Sequence, residues 1–288
     1  DHRDLHSFHT RRSSDLVVEI TNFIAEPDGS NNIVIPRMLK NAYYKGKTVD
    51  AVLEEIGDYS FSNRYLRFVR IEGYNNTSAY IPVKIGDRAF SKNRNSYSFY
   101  ARANETDAKF SEIGKEAFSG SISFSSIDVS SYDGKIGEAA FRGTNLDNLS
   151  HHECKFRGSW PKIGKEAFRG SQLCYFKLSD IEGMKDIGEG AFSYTDIGED
   201  LPGADANSVE IPAGVQSIGK EAFRDSDIKK LKFQGNSVRS IGNYAFENNK
   251  LTELTLPSGI NWIGEGAFYN NALTKADISN TAVTEVAE

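Results

Sequence analysis

The residue types able to do chemistry are few in this 288-residue chain, and they are poorly spaced for it. Three of its five histidines, His2, His6 and His9, lie in the first fifteen residues, and only His151 and His152 lie further in. His151-His152-Glu153-Cys154 is the one cluster of metal-ligating types. Adjacent residues of an extended chain point to opposite sides, so at most two of these could share an ion. The remaining ligands would have to come from elsewhere, and the expected reading is a surface loop with no metal. A nucleophilic triad needs a histidine base in most of its versions. The acidic partners available, such as Glu116, Glu138 and Glu166, fall on repeated positions that read as solvated faces. Gly188-Glu189-Gly190 and Gly264-Glu265-Gly266 resemble pieces of a phosphate loop, but neither has the third glycine at the required spacing. The chemistry therefore points to no enzyme, no cofactor and no nucleotide site.

Two cysteines, Cys154 and Cys174, remain. Aligning their surroundings on the clearest repeat described below offsets them by seven positions around the coil, roughly 20 Å of extended chain. A disulfide needs Cα atoms within about 7 Å, so free thiols are expected. The net charge of −6 argues against a nucleic-acid or anionic-membrane partner. No apolar run approaches the ~20 residues of a membrane-spanning helix, and no apolar stretch follows a basic start as in a secretory signal.

The elements that could position any site are set by a hexapeptide, Ile-Gly-x-x-Ala-Phe, present nine times. Its copies begin at Ile56, Ile85, Ile113, Ile136, Ile163, Ile187, Ile218, Ile241 and Ile263, and only the first departs, with Ser60 in the alanine place. Successive starts are 29, 28, 23, 27, 24, 31, 23 and 22 residues apart. A basic unit of 22 or 23 residues with insertions is the mark of a solenoid. Glycine in the second place allows a positive φ or a close backbone approach, and alanine leaves room for a neighbouring ring to stack. The residue two past each phenylalanine is Gly, Asn or Asp in seven of nine copies, types that tolerate the left-handed region.

The last complete unit reads Leu251-x-x-Leu254-x-Leu256-Pro257, then Ile260 and the hexapeptide at Ile263. The Leu254-x-Leu256 alternation predicts a short strand, ended by Pro257. The same signature recurs at Leu66–Ile71, Phe124–Val129, Leu173–Leu178, Ile228–Phe233 and Leu273–Ile278, and Val209-x-Ile211 matches its second half. Stacked units would then form a parallel sheet on one face, short turns or helical turns on the other, and a ladder of nine phenylalanines inside. Burying one such side chain contributes roughly 1.5–3 kcal/mol. Four or five per unit cannot offset the ordering of over twenty residues at about 1–2 kcal/mol each, so neighbouring units must support one another.

Residues 1–15 lack the pattern and read as a disordered or non-native tail. Residues 16–50 read as an N-terminal cap, with strands at Leu16–Ile20 and Ile33–Ile35 expected to pair as a hairpin over the first edge. Residues 51–288 are the array, with insertions near 73–77, 91–111 and 198–207, and Val286-Ala287-Glu288 opens a further copy as if the array were truncated within its last repeat. The outward residues of the strand ladder are the candidate ligand face: Phe68, Arg70, Asp128, Tyr175, Lys177, Glu210, Lys230, Lys232, Glu253 and Lys275. With strands about 4.8 Å apart, nine units give a surface on the order of 40 Å long. That suits a protein or glycan better than a small metabolite. Nothing in the sequence sets an oligomeric state.

Ile-Gly-x-x-Ala-Phe preceded by Leu-x-x-Leu-x-Leu-Pro resembles the BspA-type leucine-rich repeat, over about residues 51–288. The resemblance implies a mostly β, α/β-type solenoid: a right-handed coil without catalytic residues. It also implies an extracellular or cell-surface protein that adheres to host or matrix proteins or glycans. The alternative reading is a structural spacer, or an intracellular repeat scaffold, with no ligand of its own.

Overall fold

The computed structural model describes residues 17–20, 32–44, 47–71, 82–94, 96–100, 102–103, 106–107, 109–121, 123–131, 133–146, 154–173, 175–199 and 206–283. They form a β-rich solenoid of stacked parallel strands. Among them the one helical element is a 3-10 turn, Leu178–Asp180.

The hexapeptide itself carries the longest sheet. Each copy places its isoleucine and the residue before it in a short strand, as at Lys135–Ile136 and Ser217–Ile218. These strands pair in parallel and in register, isoleucine against isoleucine, in an 11-stranded sheet. The isoleucines point inward and are buried, while the preceding residues face outward. The glycine is required for close approach, because its φ is not among the positive ones. A Cβ on Gly114 would lie 2.7 Å from the Ile85 carbonyl oxygen, to which the Gly114 N–H donates at 2.8 Å.

The positive φ angles fall two positions further on, and again two past the phenylalanine. Glu116 has φ 52° and Gly120 has φ 66°, and the equivalent residues of all nine copies share this conformation. Tyr194 and Lys92, two types that avoid it, also adopt it. The left-handed region costs an L-residue roughly 1–2 kcal/mol. Hydrogen bonds between units offset that cost: Glu116 N–H to Glu138 O at 2.8 Å, Phe118 N–H to Ala140 O at 2.7 Å and Gly120 N–H to Arg142 O at 2.9 Å. The turns are therefore stitched unit to unit as the strands are.

The phenylalanines stack in one unbroken column from Phe61 to Phe268. Ring centroids are 5.0–5.5 Å apart and the planes lie within 8° of parallel. The alanines beside them are buried. Ser60, the one exception, donates its hydroxyl to the Gly57 carbonyl at 2.6 Å. A second column runs parallel to the rings, three residues past each phenylalanine from Phe90 on: Asn93, Ser121, Thr144, Ser171, Thr195, Ser226, Asn249 and Asn271. Their side chains donate to phenylalanine carbonyls. Thr144 and Ser171 both reach Phe141 O, at 2.7 and 2.6 Å, and Asn249 bridges Phe223 O and Phe246 O at 2.8 and 3.0 Å. Buried polar groups of this kind remain stable because each finds a partner.

The Leu-x-x-Leu-x-Leu strands build a second face opposite the first sheet, and it is interrupted. Five strands pair in the order Cys154–Gly158, Ser123–Ser131, Ser96–Tyr100, Phe68–Ile71 and Asn32–Ile35. Two separate pairs follow, Ser208–Ile211 with Lys230–Phe233 and Glu253–Thr255 with Lys275–Asp277. In the gap, Leu173–Leu178 is not the expected strand. From Leu178 to Ile187 this unit has two residues more than the last one has from Leu256 to Ile263, and the 3-10 turn takes up the excess. Leu173, Phe176 and Leu178 still bury their side chains.

The two N-terminal strands do not form a hairpin with each other. Val17–Ile20 pairs in parallel with Lys47–Ile56 in the first sheet, and Asn32–Ile35 pairs in parallel with Phe68–Ile71 in the second. The stretch thus supplies one strand to each face, as a repeat unit does. The antiparallel hairpin present is Met38–Tyr44 with Lys47–Ile56.

Candidate ligand-binding face

The second face presents the ten candidate residues in four groups. Phe68 and Arg70 lie on Phe68–Ile71, and Asp128 lies on Ser123–Ser131. Tyr175 and Lys177 lie in the non-strand segment that leads into the 3-10 turn. Glu210 is on Ser208–Ile211, Lys230 and Lys232 are on Lys230–Phe233, Glu253 is on Glu253–Thr255, and Lys275 is on Lys275–Asp277.

The N-terminal group is committed to internal contacts. Register places Val34, Arg70, Tyr100 and Asp128 in one row. The Phe68 ring leans on Tyr100 with centroids 5.7 Å apart. Asp128 is only 8% exposed. Arg157 of the next unit grips it from Nε at 2.9 Å and from a terminal nitrogen at 3.3 Å. Its carboxylate is therefore occupied, which the outward position alone does not reveal. The C-terminal groups are open instead: Tyr175, Lys177, Glu210, Lys230, Lys232, Glu253 and Lys275 are all exposed. Glu210 stands opposite Lys232, and Glu253 opposite Lys275. A shallow notch separates Phe176–Ser179 from Ser208–Glu210, with Lys177, Lys232 and Gln234 around it.

The first sheet and the turns beside it use their charges differently. Glu55 pairs with Lys84 at 2.8 Å and Glu112 with Lys135 at 3.0 Å. The three glutamates expected to be solvated are held by the neighbouring unit: Glu116 by Arg88 at 2.7 Å, Glu138 by Lys115 at 2.9 Å and Glu166 by Arg142 at 3.1 Å. The hydrogen bond from Arg88 holds the Glu116 carboxyl below its ordinary range, and the bond to Glu55 holds the Lys84 ammonium above its own. Each exposed pair contributes about 0–1 kcal/mol.

Among the described residues no group of three or more His, Cys, Asp or Glu side chains could hold a metal ion. His151, His152 and Glu153 lie outside those residues. The free-thiol expectation also lies outside them, because Cys174 is not described. Cys154 itself stands opposite Ile127 in the strand Cys154–Gly158.

A repeated Ile-Gly-x-x-Ala-Phe turn, a phenylalanine column and stacked parallel strands agree with the family comparison. The model of the BspA type leucine-rich repeat region matches six copies, over residues 38–150, 83–199 and 203–288. The chain belongs to the BspA-type leucine-rich repeat family. Among solved structures, this family member is similar to a leucine-rich repeat protein from Bacteroides ovatus. Identity is 19% with a TM-score of 0.58, covering 98% of this chain and 68% of that one. It also matches a leucine rich cell surface protein from Faecalibacterium prausnitzii at 17% identity and TM-score 0.38, covering 96% of this chain and 53% of that one. The pneumococcal vaccine antigen PcpA matches at 16% identity and TM-score 0.39, covering 96% of this chain and 85% of that one. The likeness to the Bacteroides ovatus protein speaks to the fold alone. No curated protein matches the chain at a significant level.

Proposed function

We propose that this BspA-type repeat array is a non-enzymatic interaction module of a cell-surface protein, binding a protein or glycan ligand through its second face. The observation that carries the reading is a contrast between positions. Isoleucine, glycine, alanine and phenylalanine recur inside every unit, while the outward positions of the second face change from unit to unit and stay exposed from Tyr175 to Lys275. Family membership supports a repeat scaffold for protein interaction, and the surface location and adhesive role follow from the same resemblance. No helix among the described residues is long and apolar enough to cross a membrane.

The test is binding of the purified chain to an array of matrix proteins and glycans. Two charge-swapped variants serve as comparison: Lys232→Glu with Glu253→Lys on the second face, and Lys115→Glu with Glu138→Lys beside the first sheet. Loss of captured ligand in the first variant alone is expected. Equal loss in both, or in neither, would remove the second face as the binding surface. An array that captures nothing would favour a spacer, which the continuous ring and hydrogen-bond ladders would equally suit.

A further inference from the structure

We propose that the corner between the turns and the second face, at Gly170, Tyr194 and Asp225, binds a neutral glycan through one or two of its sugar rings. The site is separate from the second face and does not depend on that face binding anything.

Three rows of residues run along this corner, two, three and four places past each phenylalanine. The middle row is the buried polar column, and its hydroxyls are spent on the scaffold: Ser171 donates to Phe141 O at 2.6 Å and Thr195 to Phe192 O at 2.8 Å. In the row two past the ring, the Asn270 amide donates to Asn248 Oδ1 and the Asn248 amide to Asp225 Oδ1, both at 2.9 Å. That run of side chains ends at Tyr194. The two units before it have Gly143 and Gly170, where an added Cβ would meet nothing within 4 Å. A cleft is left across three units, with Gly170, Tyr194 and Asp225 from one row and Gln172, Asp196 and Asp227 from the other around the buried hydroxyls. At about 4.8 Å per unit it is about 10 Å long.

The lining selects the ligand by elimination. The carboxylates already have partners: Asp225 takes Arg224 Nε at 3.2 Å, Asp227 takes Lys250 Nζ at 2.9 Å, and Asp196 takes the Leu173 N–H. A cationic ligand would have to displace the chain's own cations, and an anion would meet three carboxylates. Among the described residues no cluster could hold a metal ion. A peptide backbone finds no ladder to join, because the N–H groups of Gly170, Gln172 and Tyr194 already donate to Ser193 O, Thr144 O and Arg224 O. What remains on offer is acceptor capacity and an amphipathic ring. An ionised carboxylate has about four acceptor sites, so each Asp is held in place with room for hydroxyl donors. The Arg169 guanidinium lies over the Tyr194 ring at 4.6 Å and fixes it, yet the side chain is still 48% exposed. Its remaining surface suits the C–H groups of a sugar ring, and its hydroxyl suits a sugar hydroxyl.

The experiment titrates the full chain, labelled with nitrogen-15, with the methyl glycosides of glucose, galactose, mannose and N-acetylglucosamine. At least one should give saturable shifts at the amides of Gly170, Tyr194 and Asp225. Tyr194→Gly installs the residue of the two preceding units and relieves a left-handed φ of 57°, so the fold should hold while that probe binds at least about tenfold more weakly. Should that variant fail to fold, Asp227→Asn, at an exposed position that tolerates the same conformation, should weaken the probe about tenfold. The second-face variant, Lys232→Glu with Glu253→Lys, should bind it as the parent does. No saturable shift with any of the four probes overturns the proposal, as does unchanged binding in folded Tyr194→Gly or in Asp227→Asn. A stronger response to glucosamine, whose amine is charged, or to calcium chloride would also overturn it. Shifts centred on Glu253 and Lys275, lost in the second-face variant, would overturn the corner site and leave the second face as the binding surface.

Discussion

Phe223→Ala removes one ring from the middle of an unbroken column, and its cost follows from the neighbours it leaves. Phe223 is fully buried, with Phe192 at 5.3 Å on one side and Phe246 at 5.2 Å on the other, both nearly parallel. Truncating a buried phenylalanine costs about 3–5 kcal/mol, including the cavity term. Each offset aromatic contact adds about 0.5–1.5 kcal/mol beyond burial, so a site with two such contacts belongs at the upper end of that range. Phe268 is a built-in comparison: among the described residues it has one ring neighbour, Phe246 at 5.5 Å, and it is only partly buried. Phe268→Ala should cost about half as much on the same reasoning. Urea unfolding followed by circular dichroism measures both, and an unchanged slope shows whether the midpoints can be compared directly. An unchanged midpoint for Phe223→Ala would refute the column as a source of stability. Equal losses at the two sites would refute the argument from ring neighbours.

Three further outcomes are expected. Gly114→Ala drives a Cβ to 2.7 Å from the Ile85 carbonyl and 2.7 Å from Asp87 Oδ1; because one of these is backbone, thermal melting should register a loss of about 1–3 kcal/mol. Asn249→Ala strands the buried Ile228 N–H and the Phe223 carbonyl, while Phe246 O keeps its bond from Asn271. A loss of about 1–3 kcal/mol in urea unfolding is expected, with Asn249→Ser recovering part of it, since serine fills the equivalent place at Ser226 and Ser171. The Glu116 carboxyl is held below its unfolded value by its bond from Arg88, so its contribution is present at neutral pH and is lost as pH falls from about 4 through the lowered folded value. Glu116→Gln should flatten the acid limb of a stability–pH curve, and an unchanged limb would show that the pair contributes nothing.

What could be read from the sequence divides along physical lines. The phenylalanine column and the left-handed residue two past each ring show because both leave compositional marks, the first as identity and the second as Gly, Asn or Asp in seven of nine places. The left-handed residue at the fourth place of the hexapeptide leaves none. Tyr59, Arg88, Glu116, Ala139, Glu166, Glu221 and Tyr244 occupy it, because hydrogen bonds to the next unit outweigh the intrinsic preference. The first sheet stays hidden for another reason. From Lys135–Ile136 onward its strands are two residues long, too short for any alternation to show. The Leu-x-x-Leu-x-Leu strands alternate visibly and therefore stand out as the sheet, yet it is their ladder that is broken. The buried polar column was open to the same test as the ring column: Ser, Thr or Asn recurs three residues past eight of nine phenylalanines.

The candidate face is harder to read because of what makes the scaffold easy. An internal position must satisfy the same neighbours in every unit, so selection for packing writes the same residue again and again. An outward position meets no such demand, and its variety is the sign both of recognition and of simple drift at a solvated surface. Separating the two needs register, which spacing across insertions does not supply. Asp128 makes the point. On its own strand it occupies an outward place like that of Glu210 or Glu253, and only the pairing of Ser123–Ser131 with Cys154–Gly158 brings Arg157 onto it. The same logic explains why Ser208–Ile211 pairs with a strand on one side only: a unit with two extra residues folds into a 3-10 turn where the other strand would lie. Insertions in a solenoid thus do more than add surface. They decide where the second ladder is interrupted.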